Sequence, residues 1–272
     1  MKQVSVMRNP VMNGTAPVAL ALLVSLTAQT LAHAQGRRGA GGPPPSAQAA
    51  APVDFTGYWE SMVTDEDWVY RMVTPRPGDS AGVPLKTIGL QVMDTWDPAK
   101  DTAAGQQCKS YGAPTIMRVP GHLHVTWQDE QTLKIDTDAG QQTRLLHFDD
   151  SDAHQGPKSL QGYSVAQWEF QRPPGRVAAT AKPLWGALKV TTTDLTAGYL
   201  RKNGIPYSEQ AQLQEYFDLV KDSPDDDGET LMILTSTVID PVYLFEPFVT
   251  DENFLKLPGD AGWKPSACSA MW

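Results

Sequence analysis

His122 and His124 stand two residues apart in a segment that alternates apolar and polar residues, so in a strand both imidazoles leave the same face. That spacing suits a metal on a barrel wall, with a third ligand from a neighbouring strand. It suits equally an acid or base acting on a small molecule. Arg144 decides between them. Residues 121–148 read as three strands joined by a polar turn at 128–131 and a tight turn at Ala139-Gly140. Pairing through those turns puts Arg144 on the histidine face, with Leu133, Ile135, Gln142, Leu146 and Phe148. A fixed cation opposes a metal, so no metal site is expected. It favours an anionic or carbonyl ligand, with His124 as acid or base, Arg144 stabilising the anion and Glu60 completing the set. The competing role for Arg144 is a structural ion pair with Asp136 or Glu60.

The opposite face of the same three strands carries Leu123, Val125, Trp127, Lys134, Asp136, Leu145 and His147. Both faces mix apolar and polar groups, as a barrel with a partly polar lumen would. Trp59, Trp127, Tyr163 and Tyr216 are the candidate ring contacts for a ligand, with Arg71 and His122 as polar contacts. Tyr199 and Arg201, in a basic and aromatic loop at 199–208, form a candidate anion- or ring-binding rim. Gly162-Tyr163-Ser164-Val165-Ala166 falls short of a nucleophile elbow. No phosphate loop, dinucleotide fingerprint or HExxH zinc motif occurs, and no cofactor is implied.

The elements that must position these residues read as mainly β. Gly57-Tyr58-Trp59 opens the domain as the start of a small barrel, with Trp59 plugging one end. Further strands are expected at 69–73, 165–170, 187–194, 212–220 and 230–240. The best helix pattern spans 85–96, where Ile88, Val92, Met93 and Trp96 recur at helical spacing before Pro98. The acidic stretch 221–229 lacks the ligand alternation of an EF-hand and reads as a solvated hairpin loop.

Residues 1–34 have the form of a secretory signal. Lys2 and Arg8 precede an apolar run, and Ala32-His33-Ala34 offers a small-x-small cleavage site after Ala34. The apolar run is short for a membrane span, so no stable membrane insertion is expected after cleavage. Residues 35–52 are Gly-, Pro- and Ala-rich and read as a disordered linker, leaving 53–272 as a single domain. Export places Cys108 and Cys268 in an oxidising compartment, periplasmic or secreted, where one structural disulfide is expected. Closing so large a loop is worth about 5 kcal/mol in the chain-entropy model. The net charge of −9 excludes a nucleic-acid binder, whose affinity comes from Lys and Arg on phosphates. The 22 Gly and 22 Pro exclude a coiled coil or helical solenoid, and eight Trp argue for a folded core.

Several motifs recur in a fixed order. They are Cys108-x-x-x-Gly112-x-Pro114-x-Ile116-Met117, Arg144-x-x-His147-Phe148, Gly162-Tyr163-Ser164-x-x-x-Trp168-Glu169, Leu213-x-Glu215-Tyr216-Phe217 and Asp240-Pro241-x-Tyr243. The series resembles a large group of exported bacterial proteins of uncharacterised function. The chain departs from that pattern at Val165-Ala166-Gln167, in a Pro-rich stretch at 172–183, and at Phe248 where Trp is usual. The resemblance implies export and a β-rich fold, and lends no activity.

Together these readings predict an antiparallel, lipocalin-like β-barrel of eight to ten strands with one or two short helices. The expected function is binding of a small, mostly apolar molecule, anionic or carbonyl-bearing, within the barrel. The alternative is a cofactor-independent isomerase, lyase or hydratase using His124 and Arg144 in the same lumen. Whether the chain is an enzyme, and in what oligomeric state, the residues leave open.

Overall fold

A computed structural model describes residues 45–63, 76–149, 156–171, 185–221 and 228–271. The segment read as a secretory signal, the Pro-rich stretch 172–183, most of the acidic loop, and the expected strand 69–73 with Arg71 lie outside the described residues.

The described residues form a closed nine-stranded barrel, in the order β1-β11-β10-β9-β6-β5-β4-β3-β2. Its strands are β1 (Gly57–Met62), β2 (His122–Asp129), β3 (Thr132–Thr137), β4 (Thr143–His147), β5 (Tyr163–Gln171) and β6 (Trp185–Thr193). A two-stranded ribbon follows, β7 (Gly198–Tyr199) with β8 (Pro206–Tyr207), and β9 (Gln212–Lys221), β10 (Thr230–Ile239) and β11 (Phe248–Leu257) complete the wall. An odd number of strands cannot close with every neighbour antiparallel. The chain meets this parity with one parallel contact, β4 to β5, through Leu146↔Ser164 and His147↔Val165. Four short helices, α1 (Ala47–Ala50), α2 (Thr87–Asp94), α3 (Pro98–Ala103) and α4 (Ala113–Ile116), lie outside the wall. α2 occupies the segment predicted as helix. Asp97 caps α3 by accepting from the Ala99 and Lys100 amides, and Pro98 sits where a missing N–H costs nothing.

The first three-stranded meander forms with a different register from the one predicted. β2 shifts register between Trp127 and Asp129, an irregularity that changes the count across the turn. Val125 therefore faces Ile135, and Trp127 faces Leu133. Leu123, Val125, Leu133, Ile135, Arg144 and Leu146 are buried together in the interior, whereas His122 and His124 point outward. The turn into β4 follows the sequence: Gly140 at φ 74° and Gln141 at φ 49° give the doubly left-handed hairpin turn that matches strand twist.

The interior is packed rather than open among the described residues. Trp59 is fully buried, with its indole N–H donating to the Phe55 carbonyl at 2.9 Å, and it joins Leu188, Val190, Phe217, Met232 and Phe254. A second cluster, with Leu85, Met93, Leu200, Ile205, Tyr207 and Leu244, closes one rim beneath α2 and the β7–β8 ribbon. The other rim carries the β2–β3 turn and the start of β1. There the predicted linker is ordered in its last residues. The Ala47 amide donates to Gln131 Oε1 at 3.0 Å, and the Gln48 amide to the Glu130 carbonyl at 3.1 Å. The Ala47 carbonyl accepts the Trp168 indole N–H at 2.8 Å. Backbone groups and one buried alanine suffice to dock it, which a composition of small residues does not reveal.

The expected disulfide is present: Cys108 and Cys268 are bonded, with Cα atoms 5.0 Å apart. It points to an oxidising, extracytoplasmic compartment. No helix among the described residues is long and apolar enough to cross a membrane.

Candidate functional site

The residues singled out in the sequence do not converge. Arg144 and Glu215 are both fully buried inside the barrel and form a two-pronged ion pair, Nη1–Oε1 2.8 Å and Nη2–Oε2 2.6 Å. Its partner is thus neither Asp136 nor Glu60, because both of those lie on the outer face. His124 is outside as well, stacked on Tyr58 at 4.1 Å between ring centroids, with Trp263 edge-on to both. The proposed acid/base and anion-stabilising pair therefore sits on opposite faces of the wall.

His122 belongs to another arrangement. Its Nδ1 lies 2.8 Å from Asp138 Oδ2, and Glu60 Oε1 is 3.9 Å from Nε2. Asp138 also accepts the His122, Ala139 and Lys264 backbone amides. A carboxylate that only accepts fixes the Nδ1–H tautomer. The set ties the C-terminal segment to β2 and β3, and Gly262 sits against His122 Nε2. No group of three potential metal ligands comes together among the described residues.

The remaining candidates scatter. Tyr163 stacks on His147, and Tyr216 lies beneath the Lys189 ammonium, both on the outer wall. Trp59 is core. Arg201, in the loop that joins β7 to β8, is buried, 1% exposed, rather than on a rim. The same loop holds Lys202, whose Nζ donates to Tyr111 Oη at 2.5 Å; burial pushes the Lys202 ammonium down to about 8 and the Tyr111 phenol up. Tyr199 lines a narrow crevice with Trp96, Asp101 and Lys109. Burial, then its hydrogen bond to Asp101, raises the Tyr199 phenol far above its usual range.

Of the predicted residues, Trp127 borders a substantial cavity. It lines an open groove of about 530 Å³ at the barrel mouth, with Gln48, residues 51–54 and Thr56 forming the other bank. Behind Trp127 lies a stack of rings. Trp127 packs on Phe148 at 5.6 Å, Phe148 on Trp168 at 5.0 Å, and Trp168 on Phe55 at 6.1 Å. The bank is held by the three backbone contacts of α1 and by Pro52, which packs where a side chain on Gly186 would otherwise sit. Asp54 Oδ1 accepts both the Thr56 amide (2.9 Å) and hydroxyl (2.7 Å), a local turn that fixes its carboxylate. Sequence reasoning missed Asp54, Gln48, Trp168 and Glu215. Only Glu215 left a signal, as a charge on the otherwise apolar alternation Leu213-x-Glu215-x-Phe217. No family model, curated protein or solved structure matches this chain.

Proposed function

We propose that the protein is an exported binding protein that holds a small molecule with a flat apolar face at the mouth of its barrel. The observation that carries this reading is the groove of about 530 Å³ bordered by Trp127, whose ring is backed by Phe148 and Trp168. Such a concave site, mostly preformed and with a few polar groups at its edge, is the usual form of a small-molecule site. Because the lumen is packed among the described residues, the reading takes the rim rather than the interior as the ligand's place. The disulfide and the secretory form of residues 1–34 support an extracytoplasmic setting. The enzymatic alternative has no comparable support, since its histidine and arginine lie on opposite faces and Glu215 already neutralises Arg144.

Titration of the chain from Gln35 with 1-N-phenylnaphthylamine, a dye that brightens in apolar surroundings, tests the reading. Saturable binding is expected in the wild type and in His124→Ala, and at least ten-fold weaker binding in Trp127→Ala. Equal binding in all three, with folding intact, would remove the mouth as the site.

A further inference from the structure

We propose that the ligand of this groove is a saccharide, a polyhydroxylated ring that lies on Trp127 and hydrogen-bonds to Asp54 and Gln48. The inference rests on the reading of the mouth as the binding site and specifies its ligand class. The groove is open, so any occupant keeps one side in water. A wholly apolar molecule gains there only from the area it covers, at about 25 cal/mol per Å², and leaves the polar bank unmatched. A sugar ring has an apolar C–H face to lay on an indole and a polar rim to leave solvated. The bank supplies what that rim needs. Asp54 Oδ2 and the Gln48 carboxamide make no hydrogen bond with the described residues, and neither does the Trp127 indole N–H. Together they offer a carboxylate acceptor, a mixed donor and acceptor, and a donor, which is the complement of adjacent hydroxyls that both give and accept.

Charge disfavours one rival and the unmatched donors the other. Asp54 is the only charged residue among the described residues lining the groove, so an anion meets repulsion there rather than a partner. An organic cation would pair with Asp54 and the Trp127 face but would leave the Gln48 and indole N–H donors unmatched, which adjacent hydroxyls do not. Trp127 is held in place by Phe148 and Trp168 behind it, so the platform is ordered before a ligand arrives.

The test is saturation-transfer NMR and calorimetry of the chain from Gln35 with maltotriose, cellotriose and chitotriose, beside the naphthylamine dye. Binding of at least one trisaccharide is expected, weakened at least ten-fold by Trp127→Ala and measurably by Asp54→Asn. Asp54→Asn keeps the Oδ1 acceptor of the local turn and so keeps the fold if Trp127→Ala does not. Dye binding with no trisaccharide binding overturns the saccharide and leaves the mouth as an apolar site. Absence of both overturns the two readings together. Trisaccharide binding that survives both substitutions also overturns the proposal, since the sugar would then sit elsewhere.

Discussion

Arg144 and Glu215, distant in sequence, meet face to face in the barrel interior with no water-accessible surface on either side chain. β4 and β9 are not neighbours in the wall, so the pair spans the lumen and joins strands that share no ladder. Taking two charges out of water is costly, and their attraction offsets that cost only while both are present. Arg144→Met or Glu215→Gln alone is expected to cost about 3–5 kcal/mol. Replacing both with apolar residues of similar volume should recover most of that loss. Urea unfolding of the two single variants and the double variant reads the difference. A double variant as unstable as the sum of the singles would show that the charges do more than balance one another.

The C-terminal segment is fastened by Cys268 and by Asp138, whose main-chain carbonyl accepts the Ser266 amide at 2.9 Å. Converting both cysteines to serine is expected to destabilise the fold by about 2–5 kcal/mol. It should also expose residues 259–271 to proteolysis ahead of the barrel. Thermal unfolding and limited chymotrypsin digestion, read at the Trp263–Lys264 bond by mass spectrometry, measure the two effects.

Gly262 adopts φ 84°, and a Cβ there would come within 2.6 Å of His122 Nε2. Gly262→Ala should therefore cost about 1–3 kcal/mol. In a His122→Ala background the collision disappears, and the penalty should fall toward the backbone part, about 1–2 kcal/mol. Additive losses in the double variant would mean the two positions do not touch in solution.

Burial sets the alkaline profile. Lys202 titrates near 8 in the fold against 10.5 in the unfolded chain. Between those values the unfolded chain holds the extra proton, so stability rises with pH. Tyr199 and Tyr207 run the other way, since burial keeps their phenols protonated above the pH of about 10 at which unfolded tyrosines ionise. Above that point the fold holds the extra protons and stability falls. Melting temperature measured from pH 7 to 11 should climb, pass a maximum near pH 10 and drop. Lys202→Met should flatten the climb and leave the drop.

Trp168→Phe keeps the ring stack but removes the indole donor to Ala47. Hydrogen exchange should quicken across residues 46–53 while the strands stay protected. Uniform loosening would place Trp168 in the general core instead.

Much of the wall could be read from alternation alone. The strands at 163–171, 185–193, 212–221 and 230–239 fall where apolar residues recur every second position. β11 escaped because its inward positions Thr250 and Glu252 are polar and its outward Val249 is apolar, which blurs the pattern. The faces of β2 escaped for a different reason. One irregular residue before the turn reverses which side is inside, and period-two patterning cannot detect it when both sides are mixed. That slip carried His124 into the predicted site and placed Trp127 opposite it. The groove was illegible for a further reason: its second bank comes from small residues whose docking depends on backbone groups.

β1 bonds to β2 on one side and to β11 on the other, with Tyr58 opposite both His124 and Leu257. The first strand made thus waits for the last. During folding the polypeptide carries β1 with one unpaired edge until nearly the whole domain is present, and an unpaired edge is a template for association with other chains. Long-range closure of this kind is slow relative to local hairpins. The interval between the formation of β1 and the arrival of β11 is therefore the period in which this protein is most open to association, and a chain truncated before Phe248 is expected to aggregate rather than fold.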